Sequence, residues 1–178
     1  MIRKLKAVIA LFILAAVVYG GWLVYPHANK NVHHPADKLV AKTTDDFRVI
    51  RVVDGDTIVV AIDHAPHTIR LIGINTPETV KPNSPVECFG PEASKRTKEL
   101  LTDKIVRLEA DPSQDNEDKY HRELRFVFLG NENVNESLVR DGYAHEYTYK
   151  HPYAYQTEFR ADQKVAKKNK LGLWGACP

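Results

Sequence analysis

An α+β domain built on a five-stranded barrel with about three helices is the fold this sequence predicts, from three observations. Three short apolar runs, Phe47 to Val53, Thr57 to Ile62 and Thr68 to Ile74, follow one another with minimal connections. Asp54-Gly55-Asp56 and Asp63-His64-Ala65-Pro66 supply the hairpin chemistry between them. The third run is apolar on both parities, Ile69 and Leu71 on one side and Ile72 and Ile74 on the other. Such a strand suits a sheet that curls on itself and is covered by helices.

The later elements follow in order. "GPEASKRTKELLTD", from Gly90, opens a helix with Pro91 and Glu92 in its first turn. Ile105 to Glu109 is a fourth strand, and Leu124 to Leu129 a fifth after a polar loop. "NVNESLVRDG" reads as a short helix ending at Gly142, and Tyr153 to Lys168 as a charged helix with Phe159 and Val165 along it. Five short strands with interposed and terminal helices suggest an OB-type barrel.

An N-terminal hydrophobic helix is expected to precede this domain. Arg3, Lys4 and Lys6 come before a run of 19 residues without a charge, Ala7 to Tyr25, and no acid occurs before Asp37. The basic flank orients such a segment with its C-terminal side outward. Residues 1–25 therefore read as an uncleaved signal anchor or a long signal peptide, 26–44 as a polar linker, and 45–178 as one domain. Either version places the domain outside the cytoplasmic membrane, anchored through residues 7–25 or secreted. In an oxidising compartment Cys88 and Cys177 are expected to form a disulfide that staples the C-terminal tail; two unpaired thiols are the alternative.

Charge excludes one class of function. The formal net charge is +2, and without the three N-terminal cations 22 of the 25 Lys and Arg face 23 Asp and Glu. A near-neutral domain is not a nucleic-acid binder of the strongly basic kind, so any such role must rest on a local site.

One local site is legible. "IRLIGINTPE" places Arg70 in the wall of a strand, where a guanidinium costs several kcal/mol unless it meets an anion. Asp54 and Asp56 lie in the first hairpin turn, and Asn75, Thr76 and Glu78 lie just past the third strand, so pairing brings them to one rim. Oxygen ligands of this kind suit Ca²⁺. Lys119, Tyr120 and Arg122 precede the fifth strand and bring a second guanidinium. Two arginines, a hard cation and a carboxylate form a phosphodiester-cleaving arrangement: the cations neutralise charge on the phosphoryl oxygens and Glu78 activates or orients water. On this reading Arg70 stands in the wall because its anion is an arriving phosphate and not a carboxylate of the fold.

The motifs "VVDGDTIVV", "IRLIGINTPE", "CFGPEASKRTKELL", "DKYHREL", "VNESLVRDGYA" and "LGLW", in this order from Phe47 to Trp174, resemble the staphylococcal nuclease family. The resemblance implies that Arg70 and Arg122 are catalytic arginines and Glu78 the catalytic glutamate. It implies that Asp56 ligates calcium, with Thr76 adding a backbone carbonyl, and that Lys119 and Tyr120 contact a nucleotide phosphate. Tyr147 and Tyr149 match nucleotide-contacting tyrosines if one residue is deleted before them. It further implies hydrolysis of DNA and RNA, a preference for single strands and 3'-phosphate products; a monomer is expected. Asn75 departs from the pattern, which has a second calcium-ligating aspartate there, so weaker calcium binding is expected. A catalytically inactive nucleic-acid-binding module on the same barrel is the main alternative, and a structural surface protein the third.

Overall fold

In the computed structural model, residues 46–79 and 84–178 are described. The expected hydrophobic helix, the polar linker and the membrane contact lie outside the described residues. Among the described residues no helix is long and apolar enough to cross a membrane.

Alternation of apolar residues with turn chemistry produces a meander of β1 (Asp46–Asp54), β2 (Thr57–Ile62) and β3 (Ala65–Leu71). β1 also pairs with β5 (Ile105–Glu109), and β5 with β6 (Glu123–Leu129), all antiparallel. The barrel closes where β3 meets β6 in parallel, with Ile69 opposite Glu123 and Leu71 opposite Arg125. Closure buries inward residues of every strand, among them Val49, Ile58, Val60, Ile69, Val106 and Phe126. A closed barrel leaves no long sheet edge.

Helix α1 (Gly90–Leu101) packs on β1 through Ala93, Thr97 and Leu101. Its Thr97 hydroxyl donates to the Gly55 carbonyl at 2.7 Å and pins the β1–β2 turn to the helix. Gly55 is required there, because a Cβ would lie 2.7–2.8 Å from Thr76 side-chain atoms. α2 (Val134–Arg140) packs on β6, and its N-cap Asn133 accepts from the backbone amides of Asn135 and Glu136. Buried Asn135 receives the Val127 amide and donates to the Ile72 and Arg125 carbonyls, tying α2 to the chain beyond β3. α3 (Gln156–Lys168) lies against α2 and inserts Phe159 beside Phe126 and Tyr153.

Several boundaries differ from the sequence reading. The third strand starts at Ala65 and ends at Leu71 instead of running from Thr68 to Ile74, because Gly73 adopts a left-handed φ of +78°. A Cβ there would meet the Tyr153 ring at 2.5 Å, and the Tyr153 hydroxyl donates to the Gly73 carbonyl. Ile74 and Asn75 then form β4 and pair with β8 (His145–Glu146). β7 (Glu132–Asn133) pairs antiparallel with the end of β6, and α4 (Leu173–Ala176) forms the C-terminal turn. Two-residue strands carry too short a pattern to be read from periodicity. The last long helix begins at Gln156 and not Tyr153, because Tyr153 is drawn into the core and Tyr155 turns left-handed.

Cys88, just before α1, bonds Cys177, just after α4, and closes an 89-residue separation. Replacing both cysteines by serine is expected to lower stability by up to about 4–5 kcal/mol through the freed entropy of the unfolded chain. Denaturant melts check it: a lower midpoint with an equal or steeper slope is expected, because the freed unfolded chain exposes more surface, and an unchanged midpoint contradicts it.

Candidate active site

The site is assembled from three turns at one rim. The β1–β2 turn presents Asp54 and Asp56, both buried at 6–7 % exposure. Asp54 Oδ1 accepts from the Gly55 amide at 2.8 Å and from the Thr79 hydroxyl at 2.7 Å. Asp56 accepts from the Thr57 hydroxyl through Oδ1 at 2.9 Å and from the Thr76 amide through Oδ2 at 3.1 Å. Burial pushes the Asp54 carboxyl above the usual aspartate value. The Thr79 and Gly55 hydrogen bonds oppose the shift, while the Asp56 charge and a side-chain hydrogen bond with Glu78 add to it.

Arg70 points from the end of β3 into this rim with its side chain only 12 % exposed. Its Nη2 lies 3.0 Å from Asp56 Oδ2 and 3.2 Å from Asn75 Oδ1, and its Nη1 donates to the Leu71 carbonyl at 2.7 Å. The expectation that no carboxylate of the fold serves Arg70 is therefore corrected: Asp56 is its anion. The reason is cross-strand register. Thr57 lies opposite Arg70, which sets the hairpin turn carrying Asp56 beside the guanidinium. Burial lowers the pKa of Arg70, and the Asp56 charge works against that shift.

Arg122 is held differently. Asp118 Oδ2 accepts from its Nε at 2.7 Å and pairs with Nη2 at 2.6 Å. Asp118 Oδ1 accepts from the backbone amides of Tyr120 and Arg122, so one carboxylate shapes the loop and aims the guanidinium. Burial of Asp118 raises its pKa, but the hydrogen bonds from Arg122 and Tyr120 outweigh it and hold the carboxyl below the usual range. The Arg122 Nη1 reaches the Thr57 hydroxyl at 3.4 Å, which places it over the β2 end of the rim.

Glu78 is half-buried; its Oε1 accepts from the Thr79 amide at 2.9 Å, and its own amide donates to Glu87 Oε2 at 3.0 Å. One groove is lined by Asp56, Arg70, Asn75, Thr76, Glu78 and Arg122 together. An adjoining cavity of about 380 Å³ is lined by Lys119, Tyr120, Tyr147 and Tyr149, and shares Arg70, Asn75, Tyr120 and Arg122 with the groove. The ten site residues singled out in the sequence thus line two connected hollows. Tyr120 lies under two cations, Lys119 at 5.0 Å and Arg122 at 5.3 Å from its ring centroid. The Tyr147 and Tyr149 rings are 6.5 Å apart and exposed, as stacking platforms require.

Three contributors escaped the sequence reading. Asp118 carried a signal, an acid four residues before Arg122; the positioning roles of Thr57 and Thr79 depend on register and carried none. Among the described residues no group of three or more His, Cys, Asp or Glu could hold a metal ion. The oxygen set is mixed: the Asp54 and Asp56 carboxylates, the Asn75 amide and the Thr76 backbone.

The chain was compared with known proteins. The family model described as "Staphylococcal nuclease homologue" matches residues 68–176. The Thermonuclease of Staphylococcus hyicus is 47 % identical over 128 residues, covering 72 % of this chain and 75 % of that protein. The Thermonuclease of Staphylococcus intermedius is 43 % identical, covering 73 % and 76 %. Endonuclease YncB of Bacillus subtilis (strain 168) is 41 % identical, covering 77 % and 63 %.

The Asp118 clamp predicts a pH dependence of stability. Its folded pKa lies below the unfolded value, so the stabilisation is present above about pH 4 and is lost as pH falls through the depressed folded pKa. Urea melts of the wild type and Asp118→Asn between pH 6 and 2 are expected to show a smaller acid loss in the variant; equal slopes contradict it.

Proposed function

This chain belongs to the staphylococcal nuclease family and is a nuclease acting on nucleic acid; within that class we propose a calcium-dependent endonuclease that works outside the cytoplasmic membrane. It hydrolyses phosphodiester bonds of single-stranded DNA and RNA and leaves 3'-phosphates. The observation that carries the reading is the convergence of the Arg70 and Arg122 guanidiniums with Glu78 and two buried aspartates in one groove. Export is supported by the charge-flanked apolar run Ala7 to Tyr25.

The donors suit calcium. Burial first, and then the neighbouring Asp56 charge, raise the Asp54 pKa, and two carboxylates held side by side suit a cation. Asp56 uses three of about four lone-pair sites on Thr57, Thr76 and Arg70, which leaves one. Asp54, Asp56, Asn75 Oδ1 and the Thr76 carbonyl would hold the ion. Bound there, Ca²⁺ supplies positive charge to a phosphoryl oxygen and orients water.

The protein's own groups do the rest. Arg70 is fixed by Leu71, Asn75 and Asp56, and Arg122 by Asp118, so both guanidiniums meet the developing phosphoryl charge with little reorganisation. Glu78 takes a proton from the attacking water at a carboxylate oxygen. The new water oxygen–phosphorus bond forms as the phosphorus–O5' bond breaks. The proton then passes to the departing O5' oxygen to form the 5'-hydroxyl, and the phosphate stays on the 3' side. Lys119 and Tyr120 hold the neighbouring phosphate, and Tyr147 and Tyr149 stack the base.

Cleavage of heat-denatured DNA with calcium or chelator tests the reading. Calcium-dependent cutting with 3'-phosphate ends is expected, reduced about 10²- to 10⁴-fold by Glu78→Gln. Oligonucleotide binding without cutting would instead make the chain a binding module. Asn75→Asp adds a charge to the oxygen set, so half-maximal activity is expected at roughly threefold to tenfold lower calcium; no shift in a calcium titration contradicts that ligand role.

A further inference from the structure

We propose that the groove continues past the reacting centre as a subsite for one more phosphodiester of the strand, held by Arg51 and His121; this rests on the nuclease reading above. The sheet face supplies the first argument. Asp54, Thr57 and Arg70 are cross-strand partners and form one row at the rim. Arg51, Val59 and Thr68 form the next row, two residues further along β2 on the same face. Two residues of strand separate the rows by about 7 Å, close to the spacing of successive phosphates in a nucleic-acid strand. Arg51 and Asp54 are three positions apart on β1, so strict alternation would put them on opposite faces. The register shift between Val52 and Asp54 restores them to one face, which is how a bulge re-aims a side chain beside a site.

Charge and access supply the second argument. Arg51 is exposed, lines the groove and engages no carboxylate among the described residues. Thr68 beside it adds a hydroxyl, and Val53 adds apolar lining. A cation placed this way is available to an arriving phosphate. The tyrosine-lined cavity shares Arg70 and Arg122 with the groove, so a strand crossing the reacting centre can run from one hollow into the other.

His121 supplies the third. Seven non-glycine residues among those described take a positive φ, and of these His121, at +61°, is the one that lines the groove. Its side chain is 90 % exposed, and its one ion-pair contact is Glu117 Oε2 at a loose 3.6 Å. Glycine would suit this backbone better, and the fold makes little use of the imidazole. His121 lines the groove with Tyr120 and Arg122, where its ring N–H can be offered to a phosphate oxygen. Strained positions of this kind gather at ligand sites.

The test is binding of oligothymidylates of about two to about eight nucleotides, in a Glu78→Gln background that suppresses cutting, over a range of salt. Arg51→Gln is expected to weaken binding of the longer oligomers roughly fivefold and the shortest much less. It is also expected to reduce the slope of log affinity against log salt by about 0.7, the signature of one lost phosphate contact on a single strand. His121→Gly, whose backbone tolerates the change, is expected to lose roughly twofold to threefold on the longer oligomers. An equal loss at every length, or an unchanged salt slope, overturns the subsite. If the wild type cuts nothing while the length- and salt-dependent loss is seen, the nuclease reading fails and the subsite stands. If it cuts but Arg51→Gln shows no length dependence, the subsite fails alone.

Discussion

A guanidinium buried at the end of a strand must meet negative charge, and the Arg70–Asp56 pair is how this barrel meets that constraint. Much of the surrounding structure holds the two partners in register. Thr97 anchors the turn that carries Asp56, the absence of a Cβ at Gly55 lets Thr76 approach, and the Thr76 amide fixes the carboxylate from the far side. Asn135 and Tyr153 bind the backbone beyond β3, which sets where Asn75 and Glu78 fall. A buried pair of this kind is weak evidence for stability, since desolvation offsets its Coulombic gain. Its arrangement is better explained by what it offers a ligand: a cation already aimed and a carboxylate with capacity left for a metal ion.

The near-neutral charge of the domain is consistent with that economy. Arg70, Arg122, Lys119 and Arg51 lie around the two connected hollows and present local positive charge without a basic surface. Tyr147 and Tyr149 beside them are exposed rings of the kind on which any base can stack. The two arginines are prepared differently, Arg70 by burial against Asp56 and Arg122 by a half-exposed clamp to Asp118.

The barrel strands were legible because hairpin chemistry and alternation are local. β2 and β5 run over the same residues in sequence and structure. The placement of the expected residues around two connected hollows follows from two turns, one loop, the end of β3 and the segment after β8. Three features were not legible. The break at Gly73 depends on the Tyr153 ring arriving from 80 positions away. The pairing of Arg70 with Asp56, which reverses the expected assignment of its anion, depends on cross-strand register. The shared face of Arg51 and Asp54 depends on a bulge that alternation alone denies.

The most direct test of the account is calcium affinity measured by calorimetry on Arg70→Gln beside the wild type, with the cleavage rate followed on the same samples. If Arg70 and the metal ion share Asp56, removing the guanidinium leaves the carboxylate less neutralised, so calcium binds more tightly while cleavage collapses. Weaker or unchanged calcium binding, or cleavage retained near the wild-type rate, would contradict the shared carboxylate at the centre of the site.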